Sequence, residues 1–205
     1  MRKLIPGIFI ASLLAACYPK GPVYVSELDL VATNYDDSFQ FNEQSTFHLI
    51  NKVAHIDDTN SKTDTTWDGL LLDKVAENML LRGFESVNSV DDADVALTIS
   101  VWASTSTNYY YDWYSYWGWG YPGYGPGWGW GYPGGGYTYV YSYTFGTVLI
   151  EMSYPQGADY ENNTIPVVWT GIINGLVDDS NASINNRINE SIDQAFEQSP
   201  YIISQ

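Results

Sequence analysis

The sequence predicts a two-layer α+β domain: a mostly antiparallel or mixed sheet, two amphipathic helices on one of its faces, and a long aromatic, glycine-rich hairpin. Three observations carry the prediction. Two stretches repeat apolar residues at helical spacing, Trp67, Leu71, Val75 and Met79 in one and Ile184, Ile188, Ile192 and Phe196 in the other. Between and around them lie short runs rich in β-branched residues, of which DVALTISVW alternates most cleanly. Finally, YWGWGYPGYGPGWGWGYPGGG, Tyr116–Gly136, consists of Gly, Pro, Tyr and Trp alone.

Taken in order, residues 1–16 read as a signal peptide. Arg2 and Lys3 precede 13 mostly apolar residues, too few for a spanning helix, which needs roughly 18. Leu14-Ala15-Ala16-Cys17 resembles a bacterial lipobox, so Cys17 is expected to be lipidated and to become the first mature residue. Residues 17–22 form a short tether, and residues 23–205 a single domain. Its first strand is expected near Val23–Asn34, bounded by Pro22 and Asp36-Asp37, and a short second strand around Thr46–Leu49.

The first helix spans TWDGLLLDKVAENMLLRGF, with Leu72, Ala76 and Leu80 widening its apolar stripe. Thr65 or Thr66 can cap its start, and Gly83 suits the left-handed position after its last turn. A turn at Asp91–Asp94 leads into the strand that places Val95, Leu97, Ile99 and Val101 on one face. Beyond the glycines, YTYVYSYTFGTVLIEM gives a second long strand with Val148, Ile150 and Met152 on the core side. VVWTGIINGLV supplies another around Val167–Asn174, and the second helix ends before Pro200.

The whole chain carries 24 acidic and 8 basic groups; without Arg2 and Lys3 the mature chain has 6 basic groups and a net charge of −18. So acidic a chain has no basic patch for phosphates, which argues against nucleic acid as a partner. It is also repelled by anionic lipid, so the expected membrane link is the acyl group on Cys17. As the only cysteine, Cys17 leaves no disulfide, cysteine nucleophile or cysteine metal site. Tyr18 stands where an Asp would retain a lipoprotein at the inner membrane in enterobacteria, and the expected location is the periplasmic face of the outer membrane.

Catalytic signatures are missing from the sequence. It has no HExxH, G-x-S-x-G or phosphate-binding loop. His48 and His55 lack companions at metal-ligand spacing, so no metal or other cofactor is expected. Asp36-Asp37, Asp57-Asp58, Asp91-Asp92 and Asp178-Asp179 offer carboxylate pairs of the kind a glycosidase uses. The first three read more simply as turns, and the last as anions at a helix start. The expectation is a protein that is not an enzyme, with a glycan-acting protein as the alternative.

The insertion, residues 109–145, packs 18 aromatics and a single charge, Asp112, into 37 positions. Alternation back from Val148 turns Tyr137, Tyr139, Tyr141 and Tyr143 away from the core, unless Gly146 forms a bulge that flips the phase. With Trp113, Trp117, Trp119, Trp128 and Trp130 they make a candidate interaction surface. Pro and Gly are expected to keep its tip from extended pairing. Four roles stay open: a low-complexity tip, a surface for an envelope protein, a platform stacking on glycan, or an anchor at the lipid headgroups. If the first strand were a parallel neighbour of Asp94–Trp102, the tip would point away from the anchoring membrane.

NYDDSFQFNEQSTF, then Arg82-Gly83-Phe84, ADVALTISV, GTVLIEM, VVWTGIINGLV and the terminal helix follow one another in an order that resembles the bacterial lipoproteins of domain-of-unknown-function family 4136. The resemblance covers nearly all of the mature chain. It implies an α+β envelope lipoprotein, and brings no catalytic residues to transfer.

Overall fold

The computed structural model describes residues 30–56, 65–102, 129–131, 146–162, 164–174 and 181–205. Among the described residues, seven strands and two helices follow in the order β1 (Leu30–Tyr35), β2 (Thr46–Ile56), α1 (Asp68–Leu81), β3 (Glu85–Ser86), β4 (Val95–Trp102), β5 (Gly129–Gly131), β6 (Thr147–Ser153), β7 (Thr164–Asn174) and α2 (Asn181–Glu197). Six strands lie side by side as β1-β7-β6-β4-β2-β3. The β1–β7, β7–β6 and β6–β4 pairs are antiparallel, and β4–β2 and β2–β3 are parallel. This is the mixed sheet the sequence predicts.

Register assigns each residue a face. Leu97, Ile99 and Val101 stand opposite Met152, Ile150 and Val148, which in turn meet Trp169, Gly171 and Ile173. That face joins Leu71, Val75 and Met79 of α1 and Ile184, Ile188, Ile192 and Phe196 of α2 in one buried cluster. Both helices therefore lie on one face, and the predicted stripes are the buried ones. Leu80 departs from its expected place and is exposed, because it sits 100° around the helix from Met79.

At the centre of this cluster the indole of Trp169 lies against Gly171. A Cβ built on Gly171 would come 2.7 Å from Cη2 of the ring, so only glycine leaves the ring room. The indole N–H donates to Ser199 Oγ at 2.8 Å, and the Tyr201 hydroxyl lies 3.2 Å from the same oxygen. Phe196 packs at 5.2 Å between ring centroids. The residues following α2 are thus fastened to the middle of the sheet. A polar contact joins the helices farther out: Asp193 accepts from Lys74 Nζ and from Asn78 Nδ2, each at 2.9 Å.

Several local expectations change. β2 runs for 11 residues, well past Leu49. Its pairing with β4 shifts between Leu49 and Val53, and polar Asn51 and Lys52 in that irregularity conceal the strand from period-two reading. Trp67 occupies the α1 cap position without a side-chain bond; neither Thr65 nor Thr66 takes it. Gly83 does adopt the left-handed conformation, at φ +88. The first strand and β4 are not parallel neighbours: β1 sits at the far edge beyond β7 and β6, and three successive antiparallel pairings make it antiparallel to β4.

Asp94 bolts the starts of β2 and β4 together. Its carboxylate accepts from the backbone N–H of Ser45 at 2.8 Å and of Thr46 at 2.9 Å, and from the Thr46 hydroxyl at 3.0 Å. Partial burial pushes its pKa up, but these three hydrogen bonds outweigh it and hold the carboxyl below its usual value.

Two predictions follow from these contacts. Gly171→Ala should destabilise the domain by about 1–3 kcal/mol through overpacking against a rigid ring. Gly69→Ala, which meets no atom within 4 Å, should stabilise α1 by about 0.5–1 kcal/mol. Urea midpoints measure both, and equal effects would refute the packing argument. For Asp94, a lowered folded pKa means its stabilisation is present above the unfolded value of about 3.9 and is lost as pH falls through the folded one. Asp94→Ala should therefore cost about 1 kcal/mol at pH 7, as for a lost cap, and nearly nothing once the wild-type carboxyl is protonated. A mutant deficit unchanged between pH 7 and pH 2.5 would refute this.

Candidate functional site

Two features of the sheet bear on function: the end from which the chain makes its excursions, and the face that the helices leave uncovered. Register fixes the first. Trp102 stands opposite Ile56 on one side and Thr147 on the other, Val148 meets Ile173, and Asn174 meets Leu30. The start of β1, the ends of β2, β4 and β7 and the start of β6 therefore share one end of the sheet. Trp102, which precedes residues 103–128, and Thr147, which follows residues 132–145, therefore lie at the end of the sheet where β1 begins.

The second face alternates with the first. Ala96, Thr98 and Ser100 of β4 stand opposite Ser153, Glu151 and Leu149 of β6, and Glu151 is paired across with Thr170 of β7. All seven are buried. Glu151, only 1% exposed, thus sits between two threonines on the central strands of the sheet. Carboxylates are seldom this buried without hydrogen-bond donors.

The candidate residues from the sequence are distributed unevenly. Cys17, Trp113, Trp117, Trp119, Trp128, Tyr137, Tyr139, Tyr141 and Tyr143 lie outside the described residues. Trp130 is described in its backbone: Gly129-Trp130-Gly131 is β5 and pairs in parallel with Thr164, Ile165 and Pro166. Here the expectation that Gly and Pro would keep the tip out of extended pairing is corrected. Three residues without Pro, a Trp between two glycines, are enough to form a short pairing. Gly146 stands at φ +82 at the foot of β6. The four tyrosines that precede it lie outside the described residues.

The histidines and the described acidic pairs have local bonds. His48 Nδ1 donates to the Val87 carbonyl at 2.9 Å, and His55 Nε2 lies 2.8 Å from Asp68 Oδ1. Asp36 accepts from the backbone N–H and hydroxyl of Ser38, an Asx turn. Asp91 and Asp92 lie in a 3₁₀ turn capped by Ser89. Asp57-Asp58 and Asp178-Asp179 lie outside the described residues. Among the described residues no three His, Cys, Asp or Glu side chains converge as a metal site would require, and no helix is long and apolar enough to cross a membrane.

Sequence reasoning passed over Glu151. The signal was present: an acid inside the apolar run TVLIEMS, with hydroxyl residues alternating in ALTIS and VWTG. An acid in a buried strand is rare enough to mark the second face as covered.

Known proteins bear on this architecture. A crystal structure of a DUF4136 family protein from Bacteroides thetaiotaomicron VPI-5482 is similar, at 33% identity and a TM-score of 0.66, covering 85% of this chain and 97% of that one. The PelC dodecamer from Paraburkholderia phytofirmans aligns over 86% of this chain and 99% of its own at 9% identity and a TM-score of 0.42. No curated protein matches the chain. The model of the domain of unknown function DUF4136 matches residues 31–201, from the first strand to the tyrosine beyond α2. The chain belongs to the DUF4136 family.

Proposed function

We propose that this protein is a lipid-anchored component of the bacterial cell envelope, acylated at Cys17, that works by binding through its aromatic segment and not by catalysis. The observation that supports this best is the common end of the sheet. Leu30 opens β1 at the end where Trp102 closes β4 and Thr147 opens β6. The link from Cys17 to Leu30 is 13 residues long and reaches at most about 45 Å. The strands on either side of the aromatic segment, β4 and β6, thus meet it at the end of the sheet where β1 begins, which supports a role near the proposed anchor.

That placement changes the balance among the four roles. Roots at that end suit contact with the bilayer surface or with a partner held there, while Gly129–Gly131, paired with the start of β7 at the opposite end, extends the segment away from it. Trp and Tyr are the side chains that favour the headgroup level, and they also supply contact area at low entropy cost. The acidity of the remaining chain fits this division of labour. It keeps the domain off anionic headgroups while the neutral insertion meets them.

Lipidation and binding are tested separately. Cys17→Ala should move the protein from the membrane fraction to the soluble one, because acyl chains are the main attachment of a −18 chain. A mutant that still sediments after a high-salt wash would refute the anchor. In the lipidated protein, changing Trp117, Trp119, Trp128 and Trp130 together to Ala should abolish cross-linking to envelope partners, since truncating a buried Trp anchor costs about 2 kcal/mol or more. An unchanged cross-linking profile, with the circular dichroism of the folded domain retained, would refute the binding role.

A further inference from the structure

Tyr35 ends β1, Leu80 and Leu81 end α1, Tyr160 lies between β6 and β7, and Ile203 follows α2. Among the described residues these are the large apolar side chains that stand exposed, at 43% to 74%. All five gather at one end of the sheet. Tyr35 pairs with Trp169, toward the start of β7, and Glu85, just after α1, pairs with Thr46 at the start of β2. Tyr160 sits in the turn closed by Asp159 and Thr164. Ile203 lies between Tyr201, whose ring stacks on Tyr35 at 3.9 Å, and Ser204, whose N–H donates to the Arg82 carbonyl. This is the end opposite the one where β1 begins. We propose that it docks a basic peptide segment of a partner protein, one that carries apolar side chains of its own. The inference depends neither on the lipid anchor nor on the aromatic segment.

This surface rests on a fixed base. Phe39, in the connection from β1 to β2, stands edge-on to Phe41 at 4.9 Å and to Tyr154 at 5.2 Å. Phe41 is buried and lies 5.3 Å from the Tyr201 ring. The exposed Tyr35 thus stacks on a ring that is itself held by others, and a partner gains rigid aromatic area at low entropy cost. The C-terminal residues are held as well, by buried Ile202 and by the bond from Ser204 to the turn after α1. Exposed apolar side chains scattered over a surface need no explanation, but a group of them at one end of so acidic a chain marks a contact.

Charge selects the occupant. The connections that close this end, residues 36–45, 82–94 and 154–162, hold nine acids and one base, Arg82. Asp37, Glu43, Glu85, Asp91, Asp92 and Glu161 among them are exposed. Arg82 is committed within the domain: its guanidinium donates to the carbonyl and to Oδ1 of Asn78 and lies over the Phe196 ring. A second copy docking by the same surface would set acids against acids. The rest of that copy offers few cations, since Lys74 is paired with Glu77 and Asp193 and Arg187 is buried. Anionic headgroups and nucleic acid are repelled. A segment with Lys or Arg beside Leu, Ile or Phe matches both features. Its cations meet the carboxylates at the rim while its apolar side chains cover Leu81 and Ile203.

The test is fluorescence anisotropy in about 0.1 M salt, which screens exposed charges beyond about 10 Å. The probes are a labelled amphipathic peptide of Lys and Leu and an oligolysine of the same charge. The proposal expects the Lys–Leu peptide to bind the purified protein at least tenfold more tightly than oligolysine. Changing Leu80, Leu81 and Ile203 together to Gln should erase that advantage. Asp37→Asn, Glu85→Gln and Asp91→Asn together should weaken the Lys–Leu peptide at least fivefold. Asp73→Asn, Glu77→Gln and Glu190→Gln, which remove the same charge from the helix surfaces, should change it less than twofold. Equal effects of the two charge sets, or no preference for the Lys–Leu peptide, overturn the proposal. So does self-association in sedimentation velocity that the Gln variant abolishes, since it assigns the surface to a second copy. Should a variant not fold, amide shifts of the wild type decide. The Lys–Leu peptide must move the resonances of Leu81, Glu85 and Ile203 more than those of Asp73 and Glu190, and any other order overturns the inference.

Discussion

The contact between the Trp169 indole and the bare backbone of Gly171 sets the geometry of the rest. On the helix-covered face, Gly171 is the one position in the middle of β7 without a side chain, and the ring from two residues earlier occupies its space. The largest side chain of the core can therefore lie along its own strand. Its polar edge then faces Ser199, beyond the end of α2. A buried indole N–H requires such an acceptor, and the requirement fixes where α2 must finish. Phe196 packs on the ring, and the guanidinium of Arg82 lies 4.9 Å from the centre of Phe196. One glycine thus relays position from the sheet to both helices.

Most of the first layer was legible in the sequence because one side of each element faces water or a mixed environment. The spacing of Ile184, Ile188, Ile192 and Phe196 identifies α2, and the stripe from Leu71 to Met79 identifies α1, since both helices retain a polar side. β4 was equally clear. β2 was not, because the shift between Leu49 and Val53 carries Asn51 and Lys52, which local reading takes for a loop. Strand order was hidden for a different reason. Pairing β1 with β7 joins segments 144 positions apart at Leu30 and Asn174, and periodicity contains no information about such partners.

The same limits separate the two proposed functional features. Cys17 and the aromatic composition are local signals and could be read directly. The direction in which the insertion leaves the domain depends on whether β1 and β4 run together or opposed. That follows from three intervening pairings, not from either strand. Glu151 was obscured by its neighbours: Val148, Ile150 and Met152 are so clearly a core face that the alternate positions passed as solvent-exposed. In a sheet buried on both sides, alternation marks a change from apolar to polar side chains, not from inside to outside.

The pairing of β1 with β7 also bears on how the protein is made. The first strand of the domain has no partner until the residues up to Asn174 exist, and Trp169 has no acceptor until Ser199 does. Contacts between distant segments form slowly, because the loop between them must close first. A nascent chain of this design cannot complete its sheet while any substantial part of its C-terminal third is still being synthesised. Such a chain stays incompletely paired for nearly the whole of its synthesis, and Trp169 finds its acceptor only after Ser199 has been made.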